Sequence, residues 1–146
     1  MRETHYVYPA IFKRDSAGRI FVAFPDLPEA LTDGATEAEA MSEAADCLSE
    51  ALMNRILHDE AVPYPSAIGR RHRAVAPDPT VALKAALHRV AAERHVTAAE
   101  MARRLDIDHK DARRLLDPRH KSKLPRLAAA LDALGCGVSV VVAERA

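Results

Sequence analysis

The sequence is poor in the features that mark several large functional classes. It has only two cysteines, Cys47 and Cys136, and no CxxC pair. That leaves no disulfide framework and no cysteine zinc site, and it fits a reducing cytoplasm. No run of about 18 apolar residues occurs, so no transmembrane helix and no membrane partner are expected. The opening Met1-Arg2-Glu3-Thr4-His5 has no apolar stretch behind it, and a secretory signal is not expected. Five glycines leave no room for a glycine-rich phosphate loop. The seven histidines, His5, His58, His72, His88, His95, His109 and His120, show no HExxH or comparable spacing. No metal and no other cofactor are therefore expected.

Net charge is also absent, with 21 Lys+Arg against 21 Asp+Glu in 146 residues. The balance conceals a polarity. Residues 1–76 carry 8 basic and 12 acidic side chains, a net of −4, and residues 77–146 carry 13 and 9, a net of +4. Opposite halves of this kind point to two units with different partners, against the plainer reading of two solvated surfaces. Pro77-Asp78-Pro79-Thr80 is the natural linker, because each proline removes a backbone donor and disfavours helix at the residue before it. The expected division is 1–76, a linker at 77–80, and 81–146.

The first unit opens with strand signals. Tyr6–Phe12 is aromatic and branched, with Pro9 favouring an edge position. Arg14–Gly18 supplies turn chemistry, and Ile20–Phe24 makes a second strand and a hairpin. Pro25–Pro28 reads as a loop and Leu31-Thr32 as a third short strand before Asp33-Gly34. Thr36 with Glu39 forms a capping box for a helix whose apolar residues Met41, Ala45, Leu48, Leu52 and Ile56 make one stripe. His72–Ala76 closes the unit as a last strand. The order is β-β-β-α-β, an antiparallel sheet covered by one helix.

The second unit reads as helices over Val81–Arg94, Ala98–Leu105, Asp108–Leu116 and Leu124–Leu134, with Gly135 as a stop. Val138–Val142 is a terminal β-strand that must find a partner, in this chain or across a dimer. The overall class is α+β. Thr97–Leu116 carries the sharpest signal. Thr97 and Glu100 cap one short helix, Met101 and Leu105 face inward, and Ala102 permits a close crossing. Ile107 plugs the turn, Asp108 caps the next helix, and Ala112, Leu115 and Leu116 bury its inner face. Asp106 stands at the turn position often held by glycine and tolerates left-handed backbone. These are the requirements of a helix-turn-helix.

The outer face of the second helix presents His109, Lys110, Arg113 and Arg114, residue types that read guanine or grip phosphate. Arg119, Lys121 and Lys123 follow in a basic loop suited to backbone contacts. Residues 100–126 hold 9 basic and 5 acidic side chains, a net of +4 that equals the whole excess of the second unit. A packed helical bundle with a solvated basic face is the competing reading.

The chain as a whole resembles the HicB antitoxin family. The resemblance rests on Tyr8-x-x-x-Phe12, Phe24-Pro25-Asp26-Leu27-Pro28, Thr32-Asp33-Gly34-Ala35-Thr36-Glu37-Ala38-Glu39-Ala40, Pro65-Ser66, and Ala112–His120 followed by Ser122 and Leu124. It implies an N-terminal partial RNase H-like domain without catalysis, which binds and blocks a small RNA-cleaving HicA-like toxin. It further implies a C-terminal helix-turn-helix domain that binds operator double-stranded DNA and represses the operon. A toxin that grips RNA is expected to be basic. The acidic candidates to meet it are Asp26, Glu29, Glu37, Glu43, Asp46 and Glu50, each also readable as a plain solvated carboxylate. Operator binding implies a homodimer or higher homo-oligomer.

Two rival functions remain. Two-metal nuclease chemistry needs several carboxylates converging on ions about 4 Å apart. Asp15, Asp26 and Asp33 each have a turn-forming explanation instead, so no enzyme is expected. A stand-alone repressor whose first unit senses a small molecule fits the helix-turn-helix equally well. A short basic reading frame next door, or a small basic protein held stoichiometrically, favours the antitoxin.

Overall fold

The computed structural model describes residues 2–144; Met1, Arg145 and Ala146, at the outer ends of the two expected units, lie outside the described residues. The chain is α+β, with a four-stranded antiparallel sheet and five helices. Strands β1 (Tyr8–Arg14), β2 (Ile20–Phe24) and β3 (Leu27–Gly34) precede the 21-residue helix α1 (Glu37–Leu57), and β4 (Arg73–Val75) follows it. Helices α2 (Pro79–Glu93), α3 (Ala98–Leu105), α4 (His109–Leu116) and α5 (Leu124–Ala133) complete the chain. The sheet order is β3-β2-β1-β4. No helix among the described residues is long and apolar enough to cross a membrane.

Strand alternation sorts the side chains. Tyr8 and Ala10 of β1, Ile20, Val22 and Phe24 of β2, and Leu27 and Ala30 of β3 are buried against α1. Ile11, Phe21 and Leu31 of the same strands are exposed on the opposite side, where Ile11 pairs with Ala23 and Ala23 with Leu31. Pro9 is tolerated because β1 pairs with β2 only from Ile11 onward, while Pro9 itself faces Ala74 of β4. At Pro9 the strand is therefore free of a neighbour on one side, as a residue without an N–H requires.

Three expectations need correction. Leu27 and Pro28, read as loop, belong to β3, which runs eight residues rather than two. A register shift at Ala23/Phe24 places Phe24 opposite Leu27, so Pro25-Asp26 alone makes the turn, and Pro28 sits on an edge strand where its missing donor is harmless. Pro79-Thr80, read as linker, is the first turn of α2. Asp78 is its N-cap, accepting the Thr80 amide at 2.9 Å, and a proline at N1 costs nothing because that N–H is an orphan in any helix. Val138–Val142 forms no strand. Val140, Val141 and Val142 are 76%, 69% and 84% exposed, because no sheet edge among the described residues meets them and a strand without a partner has no ladder to join.

Helix α1 packs closer than its expected stripe implied. Ala40 and Ala44 are fully buried, ahead of the half-buried Met41 and Ala45. Gly34 is the reason. A Cβ there would stand 2.5 Å from the Ala40 nitrogen and 2.7 Å from its Cα, so the end of β3 touches the first turn of α1. Two apolar cores result. One lies between sheet and α1, the other among α2–α5, and α2 enters both: Val81 and Ala85 in the first, Leu87 and Val90 in the second. At the same junction the Arg89 guanidinium stacks 3.5 Å over the Tyr64 ring.

Candidate functional site

The pair α3–α4 is built by local chemistry. Thr97 caps α3 by accepting the Glu100 amide at 3.2 Å. Asp106 ends it in the left-handed region at φ 53°, the geometry that aspartate tolerates better than most residues. The Ile107 amide then donates to the Ala102 carbonyl at 3.0 Å, which closes the turn tightly. Asp108 occupies the N-cap position of α4, but its side chain accepts no capping bond. Met101 and Ala102 of α3 and Ala112 and Leu115 of α4 are buried, with Leu105, Ile107 and Leu116 packed beside them.

That burial turns the remaining side chains of α4 outward. His109, Lys110, Arg113 and Arg114 are all exposed. Pairs four residues apart lie one above the other on a helix, so His109/Arg113 and Lys110/Arg114 form one face, on which Lys110, Arg113 and Arg114 carry the positive charge. Among the described residues Arg113 has no ion-pair partner, and Arg114 meets only Asp111 at 3.5 Å. Arg119, Lys121 and Lys123 are exposed in the loop after α4, with Arg119 3.4 Å from Asp117. Arg103 and Arg104 on α3 are basic and exposed too, but both engage Glu100, whose carboxyl they hold below its ordinary value.

Two basic residues of this region were missed by sequence reasoning. Arg126, exposed near the start of α5, lies in the basic window and is the fourth cation on the same stretch as Arg119, Lys121 and Lys123. Lys84 of α2 is buried, and its Nζ reaches the C-terminal end of α4. No local pattern marks it, since it stands among alanines in a different helix.

The six acidic candidates of the first unit divide into two groups. Asp26 accepts the Ser66 amide at 2.8 Å and its hydroxyl at 2.5 Å, pinning the 62–69 segment to the β2–β3 turn. Glu29 makes a bidentate pair with Arg55 at 2.6 and 2.9 Å, which holds its carboxyl below the usual carboxylate range. Glu37 meets Arg73 at 2.9 Å and Arg14 at 3.8 Å. These three brace the unit internally. Glu43, Asp46 and Glu50 stand exposed along α1 and have no ion-pair partner among the described residues. Their spacing of three and four residues places them in one stripe.

The carboxylates weighed for metal chemistry do not converge. Asp15 accepts the Ala17 and Arg19 amides at 2.9 Å each, Asp26 holds Ser66, and Asp33 pairs with Arg19 at 2.6 Å. Among the described residues no three His, Cys, Asp or Glu side chains are grouped to hold a metal ion. The groove between the N-terminal segment and residues 64–68 encloses about 340 Å³, lies open to solvent, and is lined by Arg2, His5, Tyr64 and Ser66 among others.

Comparison with known proteins adds an independent line. Residues 7–86 match a family described as the HicB-like antitoxin of a bacterial toxin-antitoxin system. The chain is similar to the protein named Antitoxin HicB from Escherichia coli strain K12, 33% identical over 135 residues that cover 92% of this chain and 98% of that one. It is similar to Antitoxin HicB 1 of Photorhabdus laumondii, 31% identical over 128 residues, 88% of this chain and 81% of the relative. Antitoxin HicB of Pseudomonas fluorescens is 30% identical over 127 residues, 86% and 87% of the two chains.

Proposed function

The chain belongs to the HicB antitoxin family, and from that premise we propose a two-part mechanism. Residues 1–76, read as a partial RNase H-like domain, bind and neutralise a small HicA-like toxin that cleaves RNA. Residues 81–146 bind operator DNA with α3–α4 as a helix-turn-helix and repress the operon that encodes both proteins, with 77–80 as the junction. The chain acts in the cytoplasm, without catalysis of its own and without a cofactor. One observation carries this reading: two exposed faces of opposite sign, most of whose charges have no ion-pair partner among the described residues, stand on different parts of one chain. The cations of α4 and its following loop suit phosphate and guanine. The free carboxylates Glu43, Asp46 and Glu50 suit a basic protein.

The toxin-facing half is tested by reversing that stripe. Glu43→Lys, Asp46→Lys and Glu50→Lys together break no ion pair among the described residues, so the fold is expected to persist. Association with the co-expressed toxin is expected to slow at least about tenfold at low salt, with the difference shrinking as salt rises. Stopped-flow or surface-plasmon measurement of the on-rate checks this, and operator binding by the same variant is expected to stay unchanged. A stand-alone sensor would retain no small basic protein on purification, and that outcome would remove the toxin from the account.

Operator reading by one short helix covers few bases, so a two-fold dimer belongs to the same proposal. We assign its contact to Val138–Val142, whose exposed apolar run gains a ladder by pairing with a second copy. A chain ending at Gly137 is expected to sediment as a monomer and to lose operator affinity at least about tenfold, while still holding the toxin.

A further inference from the structure

Lys84 is the one lysine buried among the described residues, at 2% exposure. Its Nζ donates to the Arg114 carbonyl at 2.9 Å, the Leu115 carbonyl at 2.9 Å and the Ser122 hydroxyl at 2.8 Å. An ammonium has three donors, and all three are used. Two of the acceptors are carbonyls in the last turn of α4, where the dipole is negative and only the Asp117 amide, 3.3 Å from the Arg114 carbonyl, continues the helical pattern. The third belongs to the basic loop between α4 and α5. Lys84 itself stands on α2 between Val81 and Ala85, which are packed in the core of the sheet unit.

We propose that Lys84 is a positioning residue for DNA recognition, fixing the pose of α4 and of the Arg119–Lys123 loop from behind while never touching the duplex. The proposal rests on the reading of α4 as the DNA-contacting helix. Its physical basis is that α4 is only eight residues long and its N-cap side chain makes no bond, so local hydrogen bonding secures it weakly. Charge-assisted bonds from a buried ammonium are among the stronger restraints available at its other end. They join in one knot the carbonyl of Arg114, whose side chain is on the cationic face, and the loop that carries the flanking cations.

The charge of Lys84 provides the readout. Burial pushes its ammonium down to about 8 from an ordinary 10.5, with Asp117 at the end of α4 pulling the other way. Asp117 is also engaged by Arg119, and His120 lies 3.3 Å from the same Ser122 hydroxyl. Above pH 8 the folded chain gives up the Lys84 proton while the unfolded chain keeps it up to the ordinary lysine range. Stability therefore rises with pH between about 8 and 10.5 from this group, because the unfolded state binds more protons there. Operator affinity is expected to do the opposite, falling as the anchor loses its charge. This window lies above the range in which imidazoles ordinarily titrate.

The experiment measures fluorescence anisotropy of a labelled duplex taken from the region upstream of the chain's own coding sequence. Full-length wild type, Lys84→Met, Ser122→Ala and Arg113→Ala/Arg114→Ala are compared from pH 7 to pH 9.5, with circular dichroism and thermal melting alongside. Wild-type affinity is expected to fall several-fold above pH 8 while the melting temperature does not. Lys84→Met is expected to bind about tenfold more weakly at pH 7 and to show no such fall. Ser122→Ala, which leaves the charge in place, is expected to weaken binding about threefold and keep the pH dependence. A folded Lys84→Met with wild-type affinity and pH profile overturns the proposal. Should Lys84→Met fail to fold, a Ser122→Ala variant and a wild-type profile both flat across pH 8 overturn it equally. Loss of binding in the double arginine variant with none in the Lys84 and Ser122 variants leaves the reading of α4 intact and removes only the positioning role. Wild type that ignores the duplex at low salt removes both.

Discussion

Replacing Arg113 and Arg114 by alanine is expected to lower operator affinity at least about a hundredfold. Both side chains are exposed, Arg113 has no ion-pair partner among the described residues, and Arg114 has one long contact to Asp111. Removing them therefore disturbs no packing, and alanine is a good helix residue. Each bidentate arginine–guanine contact is worth about 1–3 kcal/mol of discrimination, and a dimer loses two copies of each. Electrophoretic mobility shift with the upstream duplex measures the loss, and toxin capture by the same variant is expected to stay unchanged. Alanine at Arg119, Lys121 and Lys123 is expected to act differently. It weakens binding to all sequences alike and reduces the log–log salt slope by about 0.9 for each phosphate no longer neutralised.

Gly34→Ala is expected to unfold the sheet unit or loosen it severely. The added Cβ meets the Ala40 nitrogen at 2.5 Å and Cα at 2.7 Å. Those are backbone atoms of α1, so no rotamer change relieves the contact, and the strand end and helix must separate. Ala40, Ala44 and Leu48, all fully buried, lose their fit against the sheet as they do. The cost is expected at about 3 kcal/mol, a large share of a stability of about 5–15 kcal/mol. Urea unfolding reads it as a lowered midpoint. Toxin capture is expected to vanish at temperatures where the variant's sheet unit melts, and the core among α2–α5, which shares α2 with the sheet unit, is expected to loosen less than the sheet itself. Gly18→Ala is the control. Gly18 has φ +88° but open space around it, and its cost is expected near 1 kcal/mol.

What could be read along the chain, and what could not, follows from the range of the interactions. The caps at Thr36 and Thr97 were legible because they close within four residues, whereas Asp108, expected to cap α4, stands at the N-cap position without a capping bond. Thr36 accepts the Glu39 amide at 3.1 Å while Glu39 accepts the Ala35 amide at 3.2 Å, and Thr97 repeats the first half of this with Glu100. The exposure of His109, Lys110, Arg113 and Arg114 was legible for the same reason: the buried positions of an eight-residue helix leave few others. The length of β3 was not, because a bulge at Ala23/Phe24 re-registers the strand and lets Pro28 sit at an edge. Nor was the start of α2, where the same prolines that signal a linker also suit a first helical turn.

The candidate toxin-facing set shows the same limit. Net charge identified an acidic unit, but composition gives no means to tell a brace from a free carboxylate. Glu29 finds Arg55 across 26 residues of chain and Asp26 finds Ser66 across 40. Only the folded chain reveals those partners and leaves Glu43, Asp46 and Glu50 as the unengaged members. Lys84 is the extreme case, since its three acceptors come 30 to 38 residues later from two different segments.

Separate surfaces of this one chain are expected to meet DNA and toxin. Nuclear magnetic resonance of the ¹⁵N-labelled full chain, titrated first with the upstream duplex and then with the toxin, tests this most directly. The duplex is expected to shift backbone amides within His109–Lys123 and to leave those of Tyr8–Leu57 in place, and the toxin is expected to shift α1 around Glu43–Glu50. Duplex-induced shifts centred on the sheet and α1, with His109–Lys123 unmoved, would contradict it.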